Sequence, residues 1–383
     1  MAKNSNSGQL VQQLLAGFAQ LPMKAKIAVG VLALAACGLL FALSRTYMLP
    51  RSPNEHTPDP TQPTEFPAGA KTIVLCLWNM ENLFDDKDDK RRSIDEPYDA
   101  WFVNKPEDRR KKYEKLAVWL VKQNGGIGPD IVVGNEIESH RAAELLQEAL
   151  NAALPTGAAR YEYVAMRDLD AGRHIAPCVV SRYPLSGVKL LGSRMRTLEV
   201  HVTVNKHDLF LVASHWTSQL TDKSGDEDGK GRAKYATTIH ELYAESLKGN
   251  PKLDFLVCGD FNDSPDSESV AHRLHLTADA TQVRPDTDPP KLFGPLSDKK
   301  PADFGTHYYS KPLIYDQVGI SPGMFDNVGW GYVPDSVKVP TEGLIRSGSR
   351  NRQPWRYGSE KDNAAGRGFS DHFPVLVTLK VAP

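Results

Sequence analysis

Short apolar runs of strand length recur through residues 71–383 and alternate with longer amphipathic patterns. Apolar runs of about four to eight residues, bounded by polar residues or glycine, are typical of buried β-strands, whereas longer patterns with one apolar face are typical of helices. The segments predicted to be strands are 72–78, 130–134, 161–165, 176–181, 196–204, 209–214, 254–258, 317–320 and 375–379. The segments predicted to be helices are 106–123, 140–153, 232–247 and 266–274.

Residues 71–383 contain no internal repeat and no proline- or glycine-rich boundary that would divide them. Apolar residues make up 40% of the chain and charged residues 24%, which is typical of a packed globular protein and not of a disordered one. We therefore predict one α/β domain at 71–383, with sheets packed face to face and helices outside. Because the formal net charge is −1, an anionic partner would need a local basic patch.

The first 70 residues differ in composition from the rest. Residues 27–43 carry no charge and no strongly polar group, and this length is near the lower limit for a membrane-spanning helix. We predict a transmembrane anchor at 27–43, a short cytoplasmic segment at 1–26 whose apolar spacing suits an amphipathic helix, and a Pro-rich linker at 44–70. A cleaved signal peptide and a plain buried helix are the alternatives for 27–43.

The side of the membrane is a separate prediction. Basic residues near the anchor are balanced, with Lys24 and Lys26 before it and Arg45 and Arg51 after it, so they hardly decide the orientation. A single anchor followed by a long spacer and a folded domain favours a single-pass protein with its catalytic domain on the extracytoplasmic side.

Polar side chains border the predicted strands at six places, where the ligand sites of α/β folds collect. The segments are Asn79-Met80-Glu81, Asn135-Glu136, Ser214-His215, Asp260-Phe261-Asn262, Tyr315-Asp316 and Ser370-Asp371-His372. Each of them alone is a weak signal, but together and in this order they indicate one site.

The residue types and order of these segments resemble the endonuclease/exonuclease/phosphatase superfamily, which has the deoxyribonuclease-I-like fold. The resemblance covers nearly all of residues 71–383 and rests on Asn-x-Glu at 79–81, the strand that leads to Glu136, Gly-Asp-Phe-Asn at 259–262 and Ser-Asp-His at 370–372. It implies a four-layered α-β-β-α sandwich and a hydrolase of phosphate esters. Members of this superfamily include nucleases, inositol-polyphosphate phosphatases and sphingomyelinases.

A Mg²⁺ site is expected at these strand ends, with Mn²⁺ as an alternative ion. Glu136 follows a buried strand and is the first choice of ligand, because Mg²⁺ prefers a few hard oxygen ligands and retains several waters. The resemblance implies that Asn79, Glu81 and Asp371 supply the remaining contacts. A carboxylate that stabilises the start of the following helix is the alternative interpretation of Glu136.

The remaining site residues are expected to act on water and phosphate. Asp260 and Asn262 lie two positions apart, so in an extended backbone both point to one side and could hold one attacking water. An ordinary Asx turn is the alternative for this pair. His372 could stabilise charge on the phosphate, and the resemblance implies that Asp316 orients it. His215 could act similarly, although a lone histidine is more often structural.

Arg352 and Arg356 lie in an arginine-rich stretch with aromatic residues, which is typical either of a phosphate-binding patch or of a solvated loop. We predict a Mg²⁺-dependent phosphodiesterase, specifically a nuclease, in which Asp260 activates the water. The alternatives are a phosphomonoesterase, a lipid-headgroup phosphodiesterase, and an inactive membrane-tethered binding module. The expected partner is therefore a phosphate ester, with nucleic acid as the first choice, and no obligate protein partner is indicated.

Overall fold

The structure, a computed structural model, describes residues 66–91, 94–169, 172–192, 194–219, 230–300, 305–346, 348 and 352–383. The predicted segment 1–26 and the predicted anchor 27–43 lie outside these residues, as does most of the predicted linker 44–70. In the part of the chain that the structure describes, no helix has the length and apolar character needed to cross a membrane.

One sheet has six strands in the order β14-β15-β1-β2-β4-β3. Strands β1 and β2 lie in its middle and run parallel, whereas the other neighbours are antiparallel. The strands span β1 Lys71–Leu83, β2 Ile131–Ile137, β3 Tyr163–Met166, β4 Ala176–Ser181, β14 Trp330–Tyr332 and β15 Val375–Val381.

The other sheet has seven strands in the order β5-β6-β7-β8-β13-β10-β9. Its central pair β7 and β8 is also parallel. The strands span β5 Leu185–Leu190, β6 Thr197–Val204, β7 His207–His215, β8 Phe255–Asp260, β9 Leu276–Thr277, β10 Leu292–Phe293 and β13 Asp316–Ile320. A separate hairpin joins β11 His307–Tyr309 to β12 Lys311–Leu313.

Four α-helices lie among the described residues, and short 3₁₀ and π turns complete the connections. They are α1 Glu96–Asn104, α2 Pro106–Val121, α3 His140–Ala153 and α4 Lys230–Gly249. Proline is favoured in the first turn of a helix, and α1 and α2 both begin with one there.

The apolar side chains fall into three main layers, because successive residues of a strand point to opposite faces. Ile73, Leu75 and Leu77 of β1 face the other sheet and pack with Leu209, Leu211 and other residues of its strands. The intervening Cys76 and Trp78 pack under α2 and α3, and the outer face of the second sheet packs under α4. The predicted mixed α/β sandwich with helices outside is confirmed.

The prediction misses the shortest strands and the exposed strand β5. It also misses helix α1 and gives the wrong type of helix at 266–274. Helix α1 was not predicted because its few apolar residues, Trp101 and Phe102 among them, give little periodicity. The segment predicted as a helix at 266–274 is a π-helical turn, Glu268–Arg273.

Candidate active site

The ends of two parallel strand pairs meet at one edge of the sandwich. In the first sheet Asn79 of β1 lies beside Asn135 of β2, and in the second His215 of β7 lies beside Asp260 of β8. Two hydrogen bonds join the sheets at this edge. Asn79 Nδ2 donates to Asp260 Oδ2 over 3.0 Å, and Asn135 Nδ2 donates to the Ser214 carbonyl over 3.2 Å. Residues from both sheets therefore form one site.

Glu136 points into this site and not toward a helix. Its carboxylate accepts hydrogen bonds from the Asn82 backbone N–H at 2.8 Å and from Asn79 Nδ2 at 3.3 Å. The backbone of Glu136 is left-handed, with φ of 63°. Helix α3 begins at His140, and its first turn is capped by the Ser139 hydroxyl, which accepts from the Ala142 N–H over 3.0 Å. The structure therefore assigns the cap of this helix to Ser139 and not to Glu136.

Asp260 lies at the centre of the site and is almost fully buried, at 1% exposure. Burial raises the pKa of this carboxyl above its ordinary value, while the His372 charge and hydrogen bonds from Asn79 and Asn262 oppose the rise. An acid with a raised pKa is a better proton acceptor than an ordinary aspartate.

Asn262 does not lie beside Asp260 as an extended backbone would place it. Its φ is 49°, and its N–H donates to Asp260 Oδ1 over 2.8 Å, which is the geometry of the alternative Asx turn. Its side-chain amide donates to the Trp216 carbonyl over 3.1 Å. Asn262 therefore fixes the Asp260 carboxylate and the loop after β7, and the extended-backbone prediction for this pair is wrong.

His372 stands between two buried carboxylates. Its Nδ1 lies 2.7 Å from Asp316 Oδ2, and its Nε2 lies 3.7 Å from Asp260 Oδ2. Burial alone would lower the pKa of His372, but the charges of Asp316 and Asp260 outweigh it and hold that pKa well above its ordinary value. The structure brings together Asp316 and the histidine that it was expected to orient, and the raised pKa favours the cationic form of this histidine.

His215 of β7 also lies near Asp260, but its pKa shifts in the opposite direction. Its Nε2 is 3.8 Å from Asp260 Oδ2 and 3.9 Å from Glu136 Oε1. Burial, together with the positive charges of Arg196 and Arg173, lowers the pKa of His215 well below its ordinary value. The lowered pKa favours the neutral imidazole, which can form hydrogen bonds without adding charge.

Glu81 is held by contacts of its own. Its φ of 51° turns the chain, and its carboxylate accepts from the backbone N–H groups of Tyr357 at 2.6 Å and Gly358 at 3.0 Å. Arg356 Nε is 3.3 Å from the same carboxylate. Burial and the Asp371 charge raise the pKa of Glu81 to about 8. Within the described residues no hydrogen bond or ion pair joins Glu81 to Glu136.

Asp371 is placed by Ser370, whose hydroxyl donates to the Asn79 carbonyl over 2.5 Å and accepts from the His372 N–H over 3.1 Å. A histidine that the sequence analysis missed lies beside it. The ring of His307 stacks on His372 with a centroid distance of 4.2 Å, and its Nδ1 donates to the Asp371 carbonyl over 2.9 Å. Burial and the His372 charge lower the pKa of His307 to about 4, so this imidazole is neutral.

Of the two predicted arginines, Arg356 reaches the site and Arg352 does not. Arg352 is exposed with φ of 52°, and within the described part of the chain no hydrogen bond or ion pair is found for it.

Two carboxylates at this edge offer the kind of oxygen ligand that a hard divalent cation prefers. Glu136 and Asp260 both accept a hydrogen bond from Asn79 Nδ2, at 3.3 and 3.0 Å, so two carboxylates lie close together. The Glu136 charge is one of the influences that raise the pKa of Asp260, as expected for carboxylates that repel each other. A Mg²⁺ ion, which prefers carboxylate and carbonyl oxygens, would relieve that repulsion.

A family model described as "Endonuclease/Exonuclease/phosphatase family" matches residues 74–381. None of the curated proteins matches the chain in sequence.

Similar solved structures include a beta toxin variant from Staphylococcus aureus with bound magnesium ions (14% identity, 82% of this chain and 100% of that chain, TM-score 0.46). Truncated TDP2 from Caenorhabditis elegans is similar at 13% identity, over 81% of this chain and 98% of that chain, with a TM-score of 0.47. Sphingomyelinase C from Streptomyces griseocarneus is similar at 17% identity, over 82% and 100%, with a TM-score of 0.46.

Proposed function

We propose that this chain, which belongs to the endonuclease/exonuclease/phosphatase family and is a hydrolase of phosphate ester bonds, is a Mg²⁺-dependent phosphodiesterase of the nuclease type. The observation that supports it best is a continuous polar chain across both sheets. Asp316 contacts His372, His372 faces Asp260, and Asp260 is joined through Asn79 to Glu136.

The metal would be held by Glu136, with Asn79 and Asp371 as further oxygen donors. When bound, Mg²⁺ neutralises charge on the phosphate and supplies several kcal/mol of transition-state stabilisation. Glu81 fits a supporting role better than a direct one, because its carboxylate is already engaged by two backbone N–H groups and Arg356.

Asp260 is the proposed general base. It is held by hydrogen bonds from Asn79 and from the Asn262 N–H, so its orientation is fixed before substrate arrives. Its distances of 3.7 and 3.8 Å to the two histidine rings are too long for direct hydrogen bonds. A water that reaches Asp260 would give its proton to this carboxylate and attack the phosphorus.

The two histidines have different roles in this proposal. His372, kept cationic by Asp316, stabilises negative charge as it develops on the phosphate oxygens. His215 is neutral and orients the water or an oxygen by hydrogen bonding.

The test uses the full chain in detergent with single-stranded DNA, RNA, inositol phosphates and sphingomyelin, with Mg²⁺ and with chelator. We expect metal-dependent cleavage of nucleic acid, and roughly 10²-fold or greater loss in Asp260→Asn and His372→Gln. His201→Gln is the control, because this histidine lies on β6 outside the site. Activity restricted to phosphomonoesters or to sphingomyelin contradicts the nuclease assignment. Full biological function in an Asp260→Ala, His372→Ala double variant would instead support a binding module.

We further propose that residues 27–43 anchor the chain as a single-pass protein with the catalytic domain on the extracytoplasmic side. The support is the uncharged apolar composition of this segment and the long spacer that follows it. Protease added to intact cells should release the domain, and full protection would contradict this orientation.

A further inference from the structure

Two arginines from distant parts of the chain hold consecutive residues of the turn beside Glu136. Arg173 donates from Nη2 to the side-chain carbonyl of Asn82, and Arg356 Nε lies 3.3 Å from the carboxylate of Glu81. The backbone N–H of Asn82 in turn donates to Glu136 over 2.8 Å. Arg173 therefore contacts the residue that donates to Glu136, and Arg356 contacts the residue before it.

Arg173 is oriented toward the site by a buried partner. Its Nε donates to Asp95 Oδ1 over 2.8 Å, and Asp95 is 1% exposed. The positive charge of Arg173 also lowers the pKa of His215, so its field reaches the centre of the site. The side chain remains 28% exposed, and within the described part of the chain its Nη1 has no hydrogen-bond partner.

Arg356 supplies a more exposed second cation. Its side chain is 62% exposed, and its two terminal nitrogens make no hydrogen bond within the described residues. Tyr98 lies in the field of both cations, because Arg173 and Arg356 each oppose the rise of its pKa that burial and Glu81 cause. Two forked donors with unused N–H groups thus lie next to the reaction centre.

We propose that Arg173 and Arg356 form a second phosphate subsite, which selects phosphodiesters that carry another phosphate group close to the scissile one. This inference rests on the proposed phosphodiesterase function and narrows its substrate class. Guanidinium groups match phosphate oxygens with paired hydrogen bonds, and such charge-assisted contacts are stronger than neutral ones. A nucleotide strand has this chemistry, as does a phosphorylated inositol phosphodiester, whereas a phosphocholine lipid has no second phosphate.

A matched pair of small substrates isolates the second phosphate. Thymidine 5′-(p-nitrophenyl phosphate) and its 3′-phosphorylated form release the same nitrophenol and differ only in that group. We expect the full chain to prefer the 3′-phosphorylated form by about 10-fold or more in kcat/KM, mainly through a lower KM. Glycerophosphoinositol and its 4-phosphate form a second pair, and the pair with the larger preference identifies the source of the second phosphate.

The variants Arg173→Gln and Arg356→Gln should each reduce the preference by about 5-fold or more, and the double variant should abolish it. Arg110→Gln is a control with the same charge change, because Arg110 lies on the surface of α2 and pairs with Glu107 and Glu114. The exposed Arg356 also provides a test if Arg173→Gln fails to fold. A preference that persists in Arg356→Gln and the double variant, or falls equally in Arg110→Gln, would overturn the subsite.

Direct binding separates this inference from the proposed function. Calorimetric titration compares thymidine 3′,5′-bisphosphate with thymidine 5′-monophosphate on the wild type and on both arginine variants. Tighter binding of the bisphosphate, lost in the variants but without cleavage of any diester, would support the subsite and contradict the phosphodiesterase. Cleavage of both members of each substrate pair with equal kcat/KM would support the phosphodiesterase and contradict the subsite.

Discussion

Replacing Glu136 with glutamine tests the assignment of the metal site most directly. Glutamine keeps the size of the side chain and can still accept from the Asn82 N–H, which is 2.8 Å from the carboxylate in the wild type. It removes one negative charge. Glutamine also has only one acceptor oxygen, so it cannot accept from both Asn82 and Asn79 as the two carboxylate oxygens do. We expect a much higher Mg²⁺ requirement and a loss of activity of about 10²-fold or more, which corresponds to about 2.7 kcal/mol.

The stability of the metal-free protein should change in the opposite direction. Glu136 and Asp260 accept from the same Asn79 nitrogen at 3.3 and 3.0 Å, so these carboxylate oxygens are at most about 6 Å apart. Two unit charges at that separation repel by at least about 3 kcal/mol at an effective dielectric constant of about 20, because a shorter separation would raise the repulsion. The weakened hydrogen bonds cost about 1 kcal/mol. We therefore expect an equal or higher melting temperature with chelator present.

Activity is measured against Mg²⁺ concentration, beside thermal melts with and without chelator. Glu199→Gln is the matched control, because Glu199 is a buried carboxylate of β6 that pairs with Lys189 Nζ at 2.9 Å and has no part in the site. It should lose stability and keep the wild-type metal dependence. If Glu136→Gln shows the wild-type Mg²⁺ dependence, the residue does not bind the metal and the reasoning is refuted.

Three further predictions use other buried charged groups. Asp316→Asn removes a charge that raises the pKa of His372, so this histidine should lose its proton at lower pH; the alkaline limb of the kcat profile should move to lower pH, and an unmoved limb would contradict the pairing. Lys112→Met leaves the Asn82 and Glu81 carbonyls, which the fully buried ammonium contacts in the wild type, without that donor; we expect a loss of about 2 to 4 kcal/mol in urea unfolding, and a loss under 1 kcal/mol would contradict it. Burial raises the pKa of Asp254 to about 8, so the folded state binds more protons than the unfolded state between about pH 4 and 8, and the unfolding free energy should fall as pH rises by up to about 1.4 kcal/mol per unit; Asp254→Asn should remove this slope, which unfolding curves at several pH values will show.

The central strands could be predicted because both of their faces are buried, which gives continuous apolar runs in the sequence. The run before Asp260 is an example, since every residue of β8 is buried between α4 and the other sheet. Which strand lies beside β8 could not be predicted. Its neighbour β13 follows about 60 residues later, and nothing in a local pattern specifies so distant a partner.

Side chains that follow a strand directly lie together in the structure as the sequence indicates, whereas side chains at backbone turns are placed by contacts that the sequence does not show. The resemblance implies that Glu81 contributes to the metal site, and the sequence does not show that its left-handed backbone directs the carboxylate to the N–H groups of Tyr357 and Gly358. That turn is held by the Lys112 ammonium, which contacts the Glu81 and Asn82 carbonyls from α2. The spacing of residues in the sequence does not predict a contact between side chain and backbone groups about 30 positions apart.

His307 shows a second limit of the sequence. It lies on a three-residue strand with no periodic neighbours, and its place in the site comes from a single bridge to His372 and from ring stacking. Arg173 was missed for the same reason, because its importance comes from Asp95 and Asn82, both about 80 to 90 positions earlier in the chain.

The division of the reacting groups between two sheets has a consequence for how the enzyme matures. Asn79 and Glu136 belong to one sheet and His215 and Asp260 to the other, and direct hydrogen bonds join them across the edge. A newly made chain in which each sheet has formed separately holds half of the chemistry on each side and hydrolyses nothing. Catalytic power should therefore emerge in one step, when the sheets dock, and the chain cannot hydrolyse phosphate esters during the earlier stages of folding.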